Sequence, residues 1–525
     1  MPELWEIVGL VAVVVAVSAL AGRFGLLTPI VLVVAGLAIS TVPGLPAFEL
    51  EPDLVLIGVL PPLLYVAALE TSVPAFRFNL RPILLLAVGL VLVTAFAVGF
   101  TVYAMVPGVP LAVCLALGAV VAPPDAVAAT AVARRIGLPR RIVTILEGES
   151  LINDATALVM LRVSVAAATA GAVTGGEIAW DAVLAAGGGL LFGVLGAMIF
   201  GFLHRMVTDP LMDNALSLLT PFAVVGAAEA VHASGVMAVV VTGLLLGHRL
   251  PTLMSAQSRL QMEAFWRMVQ WLLEGLVFLL VGLQLRQILE DLETDGRTVA
   301  LVTAAVLGVV ILTRFVYIYP ALYLARLVPR KGTQTPERDV RVPTLIGWAG
   351  MRGVVTIAAA LALPETLAGD ATYPRELFVW LAFATIVGTL VIQGTTLPAF
   401  TRILKLPADD PKVDALAEAA TQHAASQAAR QRLEENAEGV QASVVDRLRV
   451  LTEQRSNVAW ERLGTSDQET PSRAYVRLRR EMIDAEREVF MQARDSGRIS
   501  EEVLRRAQRE MDLEESMLQR KLESA

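Results

Sequence analysis

One short stretch, Glu147-Gly148-Glu149-Ser150-Leu151-Ile152-Asn153-Asp154-Ala155-Thr156, carries three carboxylates and leads directly into a mostly apolar run. On a helix Glu149 shares a face with Asn153, and Ser150 with Asp154, because residues four apart lie one above the other. Ionisable groups at membrane depth are costly and mark ion or proton pathways. A carboxylate there can hold a proton or a small hard cation, and hydroxyl, amide and carbonyl oxygens can complete the shell of such a cation. The competing reading is a polar helix end frayed into water.

Two further stretches place polar chemistry inside apolar runs. Ala122-Pro123-Pro124-Asp125-Ala126-Val127 puts adjacent prolines before an acid; proline removes a backbone donor and disfavours helix in the residue before it, so a helix should break there. Gly347-Trp348-Ala349-Gly350-Met351-Arg352-Gly353-Val354 surrounds an arginine with glycines that permit unwinding. At each break the freed carbonyls must face protein or a water-filled cavity. Asp125 would open a second half-helix, where a carboxylate complements the positive end of the dipole, and Arg352 would complement exposed carbonyls. Among the other buried charges, Arg314 is the natural mate for Glu149 in a structural pair. Arg162 lies roughly 12 Å beyond Asp154 along the helix axis, with Glu274, Glu229 or Glu70 as its partner.

These residues need long apolar elements to hold them, and the composition supplies such elements. The chain has 525 residues, 55% hydrophobic and 18% charged, with a mean hydropathy of +0.62. That excludes an ordinary soluble protein and indicates an all-α polytopic membrane protein. We count thirteen candidate spans, near 4–22, 26–42, 53–70, 82–106, 110–133, 150–171, 179–203, 214–231, 234–250, 264–286, 299–325, 342–363 and 376–403. The first resembles an uncleaved span more than a signal peptide, because Arg23 follows the apolar run and no basic residue precedes it. Alternate loops hold Arg23; Arg77 and Arg81; Arg134, Arg135, Arg140 and Arg141; Arg205; Arg249 and Arg259; and Arg326, Arg330, Lys331, Arg338 and Arg341. The opposite loops offer Arg286, Arg297 and Arg375. Positive-inside bias then puts the N-terminus outside and the C-terminus in the cytoplasm. The breaks fall in the fifth and twelfth spans, corresponding positions of two repeats, as in transporters that bind substrate at the midplane.

After Pro407 the composition turns to Ala, Glu, Arg and Gln, which predicts a cytoplasmic helical domain over 406–525. Val440, Val444, Leu448 and Leu451 form one apolar stripe, and Tyr475, Leu478, Met482 and Val489 another, suited to helix or dimer packing. Ser500 before Glu501 and Glu502 reads as a helix cap, with Gly497 closing the preceding helix. No His or Cys spacing suggests a resident metal or other cofactor, and the single Cys114 excludes an intrachain disulfide.

In their order and spacing, Pro124-Asp125-Ala126-Val127-Ala128, Gly148-Glu149-Ser150-Leu151-Ile152-Asn153-Asp154-Ala155 and Gly350-Met351-Arg352-Gly353-Val354 resemble the sodium/proton antiporters that include bacterial NhaP-type proteins and animal sodium/proton exchangers. Pro61-Pro62-Leu63-Leu64, Ala228-Glu229 and Ser234-Gly235 add to the likeness, which covers nearly all of 1–405. The resemblance implies inverted repeats in a multi-pass protein of the plasma membrane. A core part, about 82–171 and 299–403, would move against a dimerisation part, about 1–70 and 214–286. It also implies a homodimer serving pH homeostasis. Asp154 would alternate between cation and proton beside Asn153, with Ser150, Asp125 and the Pro124 carbonyl at the site, and Glu149 with Arg314 as the structural pair. Asn153 belongs to the branch associated with electroneutral one-for-one exchange. The chain departs from the family where Pro124-Asp125-Ala126 stands for Thr-Asp-Pro and where Tyr65-Val66 follows the Pro-Pro-Leu-Leu motif. The resulting expectation is Na+/H+ antiport, with K+/H+ antiport as the alternative. A cation channel is a more distant reading, and an intramembrane aspartyl protease is disfavoured because its Gly-x-Gly-Asp motif is absent.

Overall fold

The computed structural model describes residues 4–42, 54–125, 138–170, 175–326, 340–367, 372–406, 410–461, 470–496 and 498–523. The described residues are helical with no strand, and the chain divides into two compact units, Met1–Ala408 and Asp409–Ala525.

The first unit begins with α1 (Leu4–Phe24), α2 (Thr28–Ser40), α3 (Leu54–Glu70), α4 (Val73–Phe78), α5 (Leu80–Met105) and α6 (Leu111–Val121). It continues with α7 (Arg140–Ala170), α8 (Gly175–Met206), α9 (Pro210–Glu229), α10 (Gly235–Leu253), α11 (Ala256–Glu290) and α12 (Gly296–Arg326). The last elements are α13 (Arg341–Trp348), α14 (Val354–Leu361) and α15 (Arg375–Leu404). Among the described residues nine helices are long and apolar enough to cross a membrane: α1, α5, α7, α8, α9, α10, α11, α12 and α15. The apolar helices α2, α3 and α6 are shorter.

Two bodies of packing matter for function. In one, α6 lies against α5 and α7, and its Val113, Leu117 and Val120 share a buried cluster with Val302, Val306 and Val310 of α12 and with Leu377 and Phe378 of α15. In the other, α3 packs on α10 and α8 on α10, with Tyr65, Val66, Val224, Val239 and Leu246 buried together. α7 contributes Leu151 and Ala155 to that second cluster as well. α2 and α11 approach backbone to backbone at Gly36 and Gly282, where an added Cβ would collide with Leu279 O and Val33 O respectively.

The fifth span stops as a helix at Val121, and Ala122–Asp125 is irregular; the expected second half-helix falls in 126–137, outside the described residues. The twelfth span is interrupted, with Ala349–Gly353 non-helical between α13 and α14. Arg134, Arg135, Arg330, Lys331 and Arg338 also lie outside the described residues.

The second unit holds two helical pairs, α16 (Pro411–Glu435) with α17 (Ala442–Glu461) and α18 (Pro471–Asp495) with α19 (Glu501–Glu523). Ser500 caps α19 by accepting the Val503 N–H at 3.4 Å, while Gly497 lies outside the described residues. The stripes expected to pack helices together are not the seams these pairs use. Tyr475, Leu478, Met482 and Val489 are exposed, as are Val440, Val444, Leu448 and Leu451. The buried seam of the second pair is Val476 and Ile483 against Met511 and Leu518. Seven-residue spacing keeps each of these couples on one side of its helix, a position offset by one residue from the expected stripe.

Charged residues flank that seam. Arg479 donates to both oxygens of Glu514 at 2.7 Å, and Arg487 donates to Glu515 at 2.8 Å and Asp512 at 3.1 Å. The hydrogen bonds from Arg479 and Arg487 hold the Glu514 and Glu515 carboxyls below the usual glutamate range. A carboxyl lowered in the folded state contributes stability above its unfolded value, here 4.5, and loses it as pH falls through its folded value. Amide protection of α18 and α19 in the full chain, measured by hydrogen exchange, should therefore be equal at pH 7 and pH 5.5 and fall only below about pH 4.5.

Candidate functional site

The site is built where two interrupted helices meet the middle of α7. The end of α6 presents the Val121 and Ala122 carbonyls to Arg352, which reaches both: Nε donates to Val121 O at 3.0 Å and Nη2 to Ala122 O at 3.1 Å. Its Nη1 donates to Gly350 O within the other break. The Arg352 backbone N–H donates to Thr389 Oγ1 on α15 at 3.0 Å. The guanidinium is buried, 1% exposed, and its stacked carbonyl contacts replace the water that the broken helices would otherwise need.

Asp125 ties the breaks together from the opposite direction. Its N–H donates to Met351 O at 2.7 Å. Its carboxylate lies so close to Gly353 that an added Cβ there would collide with Asp125 Oδ2, so position 353 requires a residue without a side chain.

Asn153 and Asp154 face this crossing from α7. Asn153 is fully buried, and its Nδ2 donates to the Pro124 carbonyl at 2.7 Å. Asn153 Oδ1 is buried and meets no donor among the described residues. Asp154 is 6% exposed, and Asp125 is its electrostatic neighbour. Ser150, one turn earlier, is half-buried. The arrangement thus gathers Asn153, Asp154, Pro124 and Asp125 around one crossing, with Ser150 a turn away.

Glu149 and Arg314 make a separate structure. Arg314 Nη1 and Nη2 donate to the two Glu149 oxygens at 2.7 and 2.8 Å, and Nε donates to Ile346 O at 3.0 Å. Both side chains are excluded from solvent, at 2% and 1% exposure. One arginine on α12 therefore fixes α7 and α13 together through a bidentate pair and a carbonyl.

Some participants carry little signal in the sequence. Thr389 looks like an ordinary threonine in an apolar run, since its hydroxyl also donates to Thr385 O four residues back. Gln393, in a π-helical turn at Leu390–Gly394 beside Met351, has both amide atoms buried without a partner among the described residues. Arg162 selects Glu229 from its three possible partners, with both carboxylate oxygens at 2.7 Å. Glu274 instead accepts from Gln270 at 2.7 Å and has Asp125 and Glu70 as electrostatic neighbours.

A sequence model of the family described as "Sodium/hydrogen exchanger, transmembrane" matches residues 9–403. The chain is 36% identical over 524 residues to an uncharacterized Na(+)/H(+) exchanger of Mycobacterium tuberculosis, covering 98% of this chain and 95% of that protein. It is 32% identical over 417 residues to the sodium, potassium, lithium and rubidium/H(+) antiporter of Bacillus subtilis, covering 76% and 62%. The sodium proton antiporter MjNhaP1 of Methanocaldococcus jannaschii shares the fold with a TM-score of 0.61 at 18% identity, over 77% of this chain and 99% of that one.

Removing one member of a buried, bidentate ion pair strands the other charge, a loss of about 3 to 5 kcal/mol. Glu149→Gln and Arg314→Met should each lower the thermal midpoint of the purified protein steeply, and the double variant should lose less than the sum of the two.

Proposed function

This chain belongs to the sodium/hydrogen exchanger family, and from that premise we propose that it exchanges a monovalent cation for protons across the plasma membrane with Asp154 as the shared carrier. The observation that carries this reading is a buried carboxylate at a crossing of interrupted helices, beside an Asn153 Oδ1 that meets no donor. Asp154 and Asn153 Oδ1 supply a cation's first oxygens, and Ser150, Asp125 and the second lone pair of the Pro124 carbonyl complete the set with water. Na+ and H+ are cargo, and the cycle needs no resident cofactor.

Coupling follows from one carboxylate holding one ligand. A proton bound at Asp154 blocks the cation and a bound cation displaces the proton, so the site crosses with the same net charge in either direction. Asn153 adds no charge, and Glu149 is neutralised by Arg314 throughout. Exchange is therefore one for one and electroneutral. Alternating access moves a core of about 82–171 and 299–403 against a part of about 1–70 and 214–286 that forms a homodimer. Thirteen spans result when α2, α3, the α6 break and the α13–α14 pair join the nine long helices. The N-terminus lies outside, and the cytoplasmic tail regulates or dimerises.

K+ is the second reading. The likeness to an antiporter named for sodium, potassium, lithium and rubidium favours it, and so does the proline where the family places threonine. Proton flux in proteoliposomes under imposed Na+, Li+ and K+ gradients distinguishes the two. Saturable flux with Na+ and Li+ and little with K+ supports the sodium reading, and cation current without a proton gradient would indicate a channel.

Asp154→Asn should abolish cation-driven dissipation of a pH gradient in everted vesicles, and persisting exchange removes Asp154 from the carrier role. Gly353→Ala should also lose exchange, because its Cβ displaces Asp125, while the Glu149–Arg314 pair remains. Asn153→Asp should make flux sensitive to membrane potential or impair folding.

A further inference from the structure

Eight residues beyond Asp154 on the same helix, Arg162 Nη2 donates to Glu229 Oε1 and Oε2, both at 2.7 Å. Glu229 is the last residue of α9, and its Oε1 also accepts the N–H of Gly235, the first residue of α10, at 3.1 Å. The carboxylate is therefore anchored in the α9–α10 turn, which is crossed by His232 in the left-handed region. The arginine belongs instead to the helix that carries the cation site. The buried cluster that this helix shares with α3 and α10 is apolar, with Leu151, Ala155 and the partly buried Leu158 among Tyr65, Val66 and Val239. Apolar surfaces of this kind have no directional bonds to hold one register. The Arg162–Glu229 contact does, and it joins the later half of α7 to the last residue of α9, away from the basic start of α7 at Arg140–Arg141 and from Arg205 in the last turn of α8, which precedes α9.

We propose that Arg162 and Glu229 form a latch at the outer end of the transport unit, closed in the inward-facing state and open in the outward-facing one, which sets how the protein divides between them. The inference rests on the moving-core reading given above. The pair is not sealed inside the protein, with side chains 50% and 38% exposed, so breaking the contact does not strand either charge in the packed interior, and a long arginine side chain can reach toward the interface. A bridge of this type shifts an equilibrium by about two- to fivefold, enough to bias a cycle without stalling it. The buried Glu149–Arg314 pair could not be broken and remade on each turnover.

Glu229→Gln keeps an oxygen acceptor for the Gly235 N–H while removing the charge. Exchange is measured in vesicles of both orientations with Na+ varied on one side at a time. The variant should lower the half-saturating Na+ concentration at the outer face and raise it at the inner face, so that their ratio falls about two- to fivefold. The swap R162E/E229R should return both toward wild type. Equal loss of maximal flux from both faces, with neither half-saturation moved, would mean a merely structural contact and overturns the latch.

Arg162→Cys with Glu229→Cys provides an independent trap. The native Cys114 is buried and stays out of reach of the reagent. Bridging the new pair with a short bifunctional methanethiosulfonate should stop exchange, and dithiothreitol should restore it. Exchange that continues in the bridged protein overturns the latch alone. A wild-type protein with no cation-coupled proton flux overturns the antiport reading and the latch with it.

Discussion

An interrupted helix inside an apolar body leaves carbonyls that neither neighbouring helix nor lipid can satisfy, each at a cost of several kcal/mol. The site described here depends on how this chain meets that demand. Arg352 reaches from one break to the Val121 and Ala122 carbonyls at the other, and turns back to Gly350 in its own. Asp125 makes the return connection through Met351. With the crossing fixed in this way, Asn153 can hold Pro124 and leave Asp154 beside it with no salt-bridge partner of its own among the described residues. A carboxylate already paired with Arg352 would have less reason to exchange ligands. The cation that neutralises the breaks is occupied by backbone instead.

The helix carrying Asp154 bears two ion pairs of opposite character. Five residues before it, Glu149 is sealed against Arg314 in a dry bidentate contact that also grips α13. Eight residues after it, Arg162 meets Glu229 at the protein surface, where both side chains are partly exposed. Physical chemistry assigns them different work. Breaking the first strands a charge in a low dielectric, so it holds α7, α12 and α13 as one body. Breaking the second costs little, so it suits a contact that is made and lost between states.

Much of this was legible in the residues. Charges inside apolar runs have few partners, so Arg314 with Glu149 followed from type and depth, and glycines flanking Met351 and Arg352 announced an unwound segment. What could not be read was set by long-range packing. Thr389 serves the Arg352 N–H, yet a threonine in a membrane helix always has its own i−4 carbonyl as an outlet. Arg162 had three acids to choose from, and only the tertiary placement of the last residue of α9 within reach of its guanidinium selects Glu229. In the tail, α18 carries apolar residues at adjacent positions, so it offers two faces one residue apart. Its partner buries Val476 and Ile483, while periodicity alone favoured Tyr475 and Met482.

The central claim is that one carboxylate holds either a proton or a cation and never both. Proton release on saturating Na+ binding to the purified protein, measured calorimetrically in buffers of different ionisation enthalpy at least one pH unit below the midpoint of its pH-activity profile, tests it without any transport step. The account predicts release approaching one proton per Na+ bound, absent in Asp154→Asn. Saturable Na+ binding to the wild type with no proton release would contradict it.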